Sequence, residues 1–256
     1  MKRKLWGSLT SWELSCIIDK NPVLVLPVGS FEQHGAHLPV DTDTHIGNEL
    51  ALQAVEKATY PCLLLPPLWM GIAEHHMYFS GTITISYNTL YNLLKDITRS
   101  YVRHGGSKLL LLNSHGGNVA PLKTAVNEIH AELDLEIVLV TYWDLVSHKV
   151  MQLRKSPLGG ISHACELETS LKLYLRPEDV RKELTEPHVV PGNHYLSPEM
   201  FSSNKITVPM SFEELSSKGH IGDPTKACSE FGKAVFEEAV KELSRIINLF
   251  GEGKLW

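Results

Sequence analysis

Between Ser30 and His45 the chain reads SFEQHGAHLPVDTDTH, which holds Glu32, His34, His37, Asp41, Asp43 and His45. This stretch follows Val23-Leu24-Val25-Leu26-Pro27-Val28-Gly29, an apolar run that predicts a buried strand over 22–28. Carboxylates and imidazoles this dense at the end of a buried strand are costly to fold around unless something pairs them. One or two divalent cations are the simplest partner. Glu32 and His34 stand two apart, so on extended backbone both side chains point the same way and reach one centre. Asp43 lies just before a predicted helix and can turn back to the same place. His115, in Asn113-Ser114-His115-Gly116-Gly117-Asn118, sits between a strand end and a glycine pair that lets the backbone pass close to a ligand.

Each of these residues has a plainer reading when taken alone. Asp43 could simply cap its helix, His34 could bond its own loop, and His115 could satisfy a turn. Four ligand-type residues at one sheet edge favour metal instead. Nitrogen and oxygen donors without thiolate suit zinc, manganese or iron rather than a structural zinc knot. Three carboxylates would balance most of the charge of two such ions, and a bridging hydroxide, serving as nucleophile, would supply the rest. His163 and Glu168 form a second constellation. At five residues apart they do not stack on one helical face. His163 is therefore expected just before a helix with Glu168 inside it. Their plainer reading is a capping histidine and a solvent-facing glutamate.

The elements that position these residues follow from periodicity. A short helix over 8–19, capped by Ser8 or Thr10, precedes the first strand. Ile46, Leu50, Ala51, Ala54, Val55 and Ala58 mark an amphipathic helix over 44–58, and Cys62–Leu65 reads as the next buried strand. The loop Trp69–Gly81 carries His75 and His76, and Thr82–Ser86 reads as a short strand. A helix over 89–104 ends at Gly105-Gly106. Lys108–Leu112 is a strand uncharged after its first residue, so it belongs inside a sheet. Asn118 is placed to cap the next helix, which carries Leu122, Ala125, Val126, Ile129 and Leu133 on one face. Ile137–Thr141 is a strand, 142–162 has no clear assignment, and a helix runs from the 162–170 motif to Tyr174. From Arg176 to Gly222 the pattern dissolves into loop. Asp223-Pro224 then gives a cap and a first helical position for a long last helix. Strands alternating with helices mean an α/β fold with a mostly parallel sheet covered on both faces. In such sheets ligands collect outside the carboxyl ends of the strands, where the Glu32/His34/Asp43 and His115 loops both emerge.

Composition sets the remaining bounds. With 256 residues and no linker-like break, a single domain over 1–256 is expected. The net charge of −5 without a basic run argues against nucleic acid as the main partner. Cys16, Cys62, Cys165 and Cys228 are scattered and form no CxxC pair, so they read as reduced cytoplasmic thiols. The N-terminus reads as neither a signal peptide nor a membrane span.

Glu32-Gln33-His34-Gly35, His37-Leu38-Pro39 and Asp41-Thr42-Asp43-Thr44 together resemble the signature of the creatininase (creatinine amidohydrolase) family. So do Asn113–Asn118, the run from His163 to Ser170, Glu74-His75 followed by Phe79-Ser80-Gly81-Thr82, and Gly222-Asp223-Pro224. The resemblance spans about residue 22 to 250. It implies a three-layer αβα sandwich and a two-metal hydrolase of carbon–nitrogen bonds in a small molecule, built as a homo-oligomer, often a hexamer. It also implies that Glu32, His34, Asp43 and His115 ligate two divalent metal ions (Zn, Mn or Fe), with Asp43 bridging. His163 is implied as the general acid/base, and Glu168 as a ligand or as the group that orients His163. Gly117 stands where the enzyme that names the family has a glutamate ligand, so Glu168, with Glu166 second, is expected to complete the second metal. The segment 144–162 lacks the tryptophans that close over substrate in that enzyme, the nearest being Trp143, and Ser80 replaces a usual proline. These changes point away from creatinine as the substrate. His75 is expected to bind substrate. Two rival readings are a hydrolase that opens a cyclic keto-polyol (inosose-type) ring and a non-catalytic binding protein. The intact ligand set ranks the latter last.

Overall fold

The computed structural model describes residues 4–255; residues 1–3 and 256, inside the span expected for the domain, lie outside the described residues. β1 (Val23–Val28), β2 (Cys62–Leu64), β3 (Lys108–Asn113) and β4 (Glu136–Thr141) form a parallel sheet in the order β2-β1-β3-β4. Every residue of β1 and β3 is buried. Alternation splits them between two cores. Val23, Val25, Leu110 and Leu112 face one apolar layer, while Leu24, Leu26, Val28, Leu109 and Leu111 face the other. The first layer is built by α2 (Thr42–Lys57), α5 (Tyr142–Leu153), α6 (Glu166–Leu175) and α8 (Ser229–Gly251). The second is built by α1 (Ser11–Ile18), α3 (Tyr87–Arg103) and α4 (Val119–Leu133). This is a three-layer αβα sandwich, as the motifs imply.

Several local expectations differ from what the chain does. The unassigned stretch after β4 holds α5, which starts directly on the strand end with no capping side chain. Its buried Tyr142, Val146 and Val150 recur at helical spacing. Thr82–Ser86 makes two isolated bridges, Ile83 to Phe31 and Thr84 to Gly71, rather than a strand. Of the two caps considered for α1, Thr10 closes a reciprocal capping box with Glu13. Asp223 caps only a three-residue turn, Pro224–Lys226, and α8 begins afterwards at Ser229. Asn118 does not cap α4. Its Oδ1 accepts from the Ile72 N–H at 3.0 Å and its Nδ2 donates to the Gly29 carbonyl at 3.0 Å, so it ties two loops together. The segment from Arg176 onward is mostly irregular, but it contains α7 (Phe212–Leu215) and the two-residue β6 (Ile221–Gly222). β6 pairs antiparallel with β5 (Ile161–His163).

Candidate functional site

Parallel register sets Val28 beside Asn113, so the loops that leave β1 and β3 emerge next to each other. The first loop is pinned by the Glu32 N–H donating to the Val40 carbonyl at 3.0 Å and by the Phe31–Ile83 bridge. It delivers Glu32 and His34 inward, while Asp43 enters from the first turn of α2. His115 enters after β3. His163 ends β5. Ala164, at φ 50°, then turns the chain so that Glu168, from the first turn of α6, faces the same space. All six side chains are buried.

The contacts join in one chain. His115 Nδ1 lies 2.9 Å from Glu32 Oε2 and 3.0 Å from Asp43 Oδ2. His34 Nε2 lies 3.2 Å from Asp43 Oδ1 and 3.9 Å from Glu168 Oε1. Asp43 therefore serves both clusters, one oxygen to each. Glu32 Oε1 lies 3.7 Å from His163 Nδ1 and 3.4 Å from Nε2 of His76. Three donor sets, Glu32/Asp43/His115, His34/His163/Glu168 and Glu32/His76/His163, are each close enough to share an ion.

The far nitrogens show what the near ones must be. The His115 Nε2–H donates to the Ile72 carbonyl at 2.9 Å, which leaves a lone pair at Nδ1 facing two carboxylate oxygens. The His34 Nδ1–H donates to the Glu32 carbonyl at 3.0 Å, so its Nε2 lone pair faces Asp43 and Glu168. Lone pairs opposed in this way, with Glu32 Oε2, Asp43 Oδ2 and His115 Nδ1 otherwise unpartnered and buried, call for a cation between them. Among the described residues no Lys or Arg pairs with Glu32, Asp43 or Glu168; their ion-pairing groups are imidazoles, and Glu168 Oε2 also accepts from the Ala164 N–H. Protons can substitute for a cation. Burial disfavours charge on His34, but the carboxylates of Asp43, Glu168 and Glu32 override it and push its pKa up to about 10. His115 is likewise raised well above its usual value, against burial, by Glu32 and Asp43. Burial raises Glu168 to about 7, with His34 opposing.

Glu166, the second choice for a ligand, is engaged elsewhere. Its two oxygens accept from the Lys155 and Ser156 N–H groups at 2.8 Å each. At Gly117 a side chain has no room, because a Cβ there would lie 2.1 Å from the Ile72 carbonyl oxygen and 2.8 Å from the His75 ring. His75 lines the cavity and stacks parallel to His115 at 6.0 Å; burial and the neighbouring His115 hold its pKa down to about 4. The cavity is about 770 Å³ and opens over Glu32, Asp43, His115 and Glu168, with Trp143 on its wall.

Sequence reasoning missed two residues. His76, not only its neighbour His75, turns into the site, where its Nε2 meets Glu32. Two adjacent histidines in a loop carry no sign of which one faces inward. Phe212, from the segment read as loop, lies 4.0 Å from His76 and 4.7 Å from His163, ring centre to ring centre, and lines the cavity. No pattern in its segment marks it.

Comparison with known proteins identifies the family. The sequence model of the family described as creatininase, creatinine amidohydrolase, matches residues 7–247. A mycofactocin precursor peptide peptidase of Mycobacterium tuberculosis is 32% identical over 247 residues, 93% of this chain and 88% of that protein. A creatinine amidohydrolase of Pseudomonas putida is 28% identical over 240 residues, 88% of each chain. A solved manganese form of creatininase superposes with a TM-score of 0.82 at 26% identity, covering 95% of this chain and 97% of that one. The chain belongs to the creatininase (creatinine amidohydrolase) family of hydrolases.

Proposed function

We propose that this chain uses two divalent cations to hydrolyse an amide-type carbon–nitrogen bond in a small molecule: an open amide, a cyclic amide or a formamide. The observation that carries the reading is Asp43, whose two oxygens face His34 and His115 separately, 3.2 and 3.0 Å away. Glu32, Asp43 and His115 would hold one ion, and His34, Asp43 and Glu168 the other. Zinc, manganese or iron suits these oxygen and nitrogen donors, and a relative is known in a manganese form. Bound there, such ions lower the pKa of water and polarise a carbonyl. A peptidase and a creatinine amidohydrolase among the relatives both cleave carbon–nitrogen bonds, which supports the reaction class.

The chain's own groups supply the rest. Nε2–H of His163 is held by the Gln33 carbonyl at 2.8 Å, so its Nδ1 is the nitrogen free to take and give a proton. Burial and His34 hold His163 well below its usual pKa, so it is neutral and able to accept a proton before it delivers one to the leaving nitrogen. His75 binds substrate at the cavity wall, and Phe212 excludes water above the imidazoles. The same reading has the enzyme cytoplasmic, with its four thiols free, and homo-oligomeric. Among the described residues no helix is long and apolar enough to cross a membrane.

The test is His163→Ala. Metal content should remain that of the parent while kcat on an amide substrate falls by on the order of 100- to 10,000-fold. Near-parental turnover with full metal would remove His163 from the mechanism.

A further inference from the structure

Gln33 lies between the two imidazoles that approach Glu32 Oε1. Its carboxamide is buried and its orientation is fixed at both ends. Oε1 accepts from the Gly35 N–H at 3.0 Å, and Nε2 donates to the Gly219 carbonyl at 2.6 Å. A carbonyl can only accept, so the amide nitrogen must be the end that faces Gly219. Two imidazole nitrogens lie near its second hydrogen, His76 Nδ1 at 2.8 Å and His163 Nε2 at 3.2 Å; the latter carries its own proton toward the Gln33 carbonyl, so the hydrogen goes to His76 Nδ1. His76 Nδ1 is therefore an acceptor, and the proton of the neutral ring sits on Nε2, which lies 3.4 Å from Glu32 Oε1. The backbone carbonyl of the same residue takes Nε2–H of His163 at 2.8 Å and leaves Nδ1 bare, 3.7 Å from the same Glu32 oxygen.

We propose that Gln33 is a positioning residue that sets opposite roles on these two imidazoles: His76 as a donor at Nε2 and His163 as an acceptor at Nδ1, both directed at Glu32 Oε1. The inference rests on the proposed hydrolase for its purpose, since an acid/base at His163 needs a bare Nδ1 and a ligating Glu32 needs a fixed orientation. Its content is a statement about protons that holds or fails independently of turnover. Through its two donated hydrogen bonds, Gln33 also links the imidazoles to the segment that carries Phe212, which packs over both rings. Gly219 has φ +79°, and a Cβ on it would lie 2.1 Å from Gln33 Oε1, so a side chain there would displace the carboxamide.

The experiment reads tautomers directly, in two-bond proton–nitrogen correlation spectra of zinc-loaded enzyme carrying isotopically labelled histidine. The His76 signals are identified by their loss in His76→Asn. In the parent enzyme His76 should show the proton on Nε2. In Gln33→Glu the side chain can no longer donate, and the His76 proton should move to Nδ1. Gly219→Ala, which keeps the carboxamide but displaces it, should also perturb the His76 signals. A parent His76 protonated on Nδ1 overturns the proposal, whether or not any variant folds. So does a His76 pattern unchanged in Gln33→Glu. Should His163→Ala retain full turnover while these tautomers appear as stated, the acid/base assignment fails and the role of Gln33 stands.

Discussion

Asp43 faces His34 with one oxygen and His115 with the other, the two imidazoles proposed to hold separate ions. Glu32 contacts His115, His76 and His163, and Glu168 lies 3.9 Å from His34 and groups with His34 and His163. Asp43→Ala should therefore strip both ions, where Glu168→Ala strips one; metal analysis of purified protein checks the count, and a fully loaded Asp43→Ala would contradict the shared role. The imidazoles make a second prediction at this scale. Without ions, His34 is held up to about 10 and His115 well above its usual value, burial opposing and carboxylates prevailing. Both carry a second proton near neutral pH, on the nitrogens that must present lone pairs to ligate. Ion binding must then expel protons, so apparent affinity should keep rising with pH up to about 10, where His34 loses its extra proton unaided. Calorimetric titration with zinc in buffers of different ionisation enthalpy would show the release. Heats independent of buffer would contradict it.

The elements act on the site through the backbone groups they offer to it. Asn118 accepts from the Ile72 N–H, and the Ile72 carbonyl in turn accepts from His115 Nε2–H. A residue that reads in sequence as a helix cap is thus two hydrogen bonds from the imidazole of His115, a proposed ligand. Asn118→Ala would leave the Gly29 carbonyl and the Ile72 N–H without partners in a buried place. A cost of about 3 kcal/mol follows from the usual penalty for two such groups, and urea unfolding measures it. Loosening the Ile72 carbonyl should also weaken ion binding by about 10- to 100-fold, the usual cost of losing an outer hydrogen bond to a ligand. The case also shows what the sequence could and could not say. Side-chain type and a strand-to-helix position put Asn118 near a helix start, but its partners lie in loops distant in sequence, and no local pattern encodes them. The same limit explains α5 and His76. α5 was hidden because no cap or breaker separates it from β4, although Tyr142, Val146 and Val150 keep the helical spacing. His76 was hidden because a three-residue turn, Glu74–His76, decides which of two adjacent imidazoles faces inward. The strands, by contrast, were legible because burial on both faces demands uninterrupted apolar runs.

At the scale of the whole molecule, the site is where the layers are held together. Glu32 and His34 come from the loop after β1, Asp43 from α2, His115 from the loop after β3, and His163 and Glu168 from β5 and α6. The apolar layers bind these elements elsewhere, but at the sheet's carboxyl edge they leave three buried carboxylates to be neutralised. A cation that binds the folded arrangement and not the unfolded chain stabilises the fold by mass action. At free ion about a thousandfold above its dissociation constant, that contribution is about 4 kcal/mol. For a chain of this size each kcal/mol shifts the melting temperature by roughly 2–4 °C. Dialysis against a chelator should then lower the melting temperature by roughly 8–16 °C, and zinc or manganese should restore it while magnesium, which prefers an all-oxygen shell, restores less. In Asp43→Ala, with the shared oxygens gone, the same ions should give almost no recovery. A parent protein whose melting temperature ignores both chelator and added metal would mean that the buried carboxylates are neutralised by protons alone, and the paired-cation reading would fail with that result.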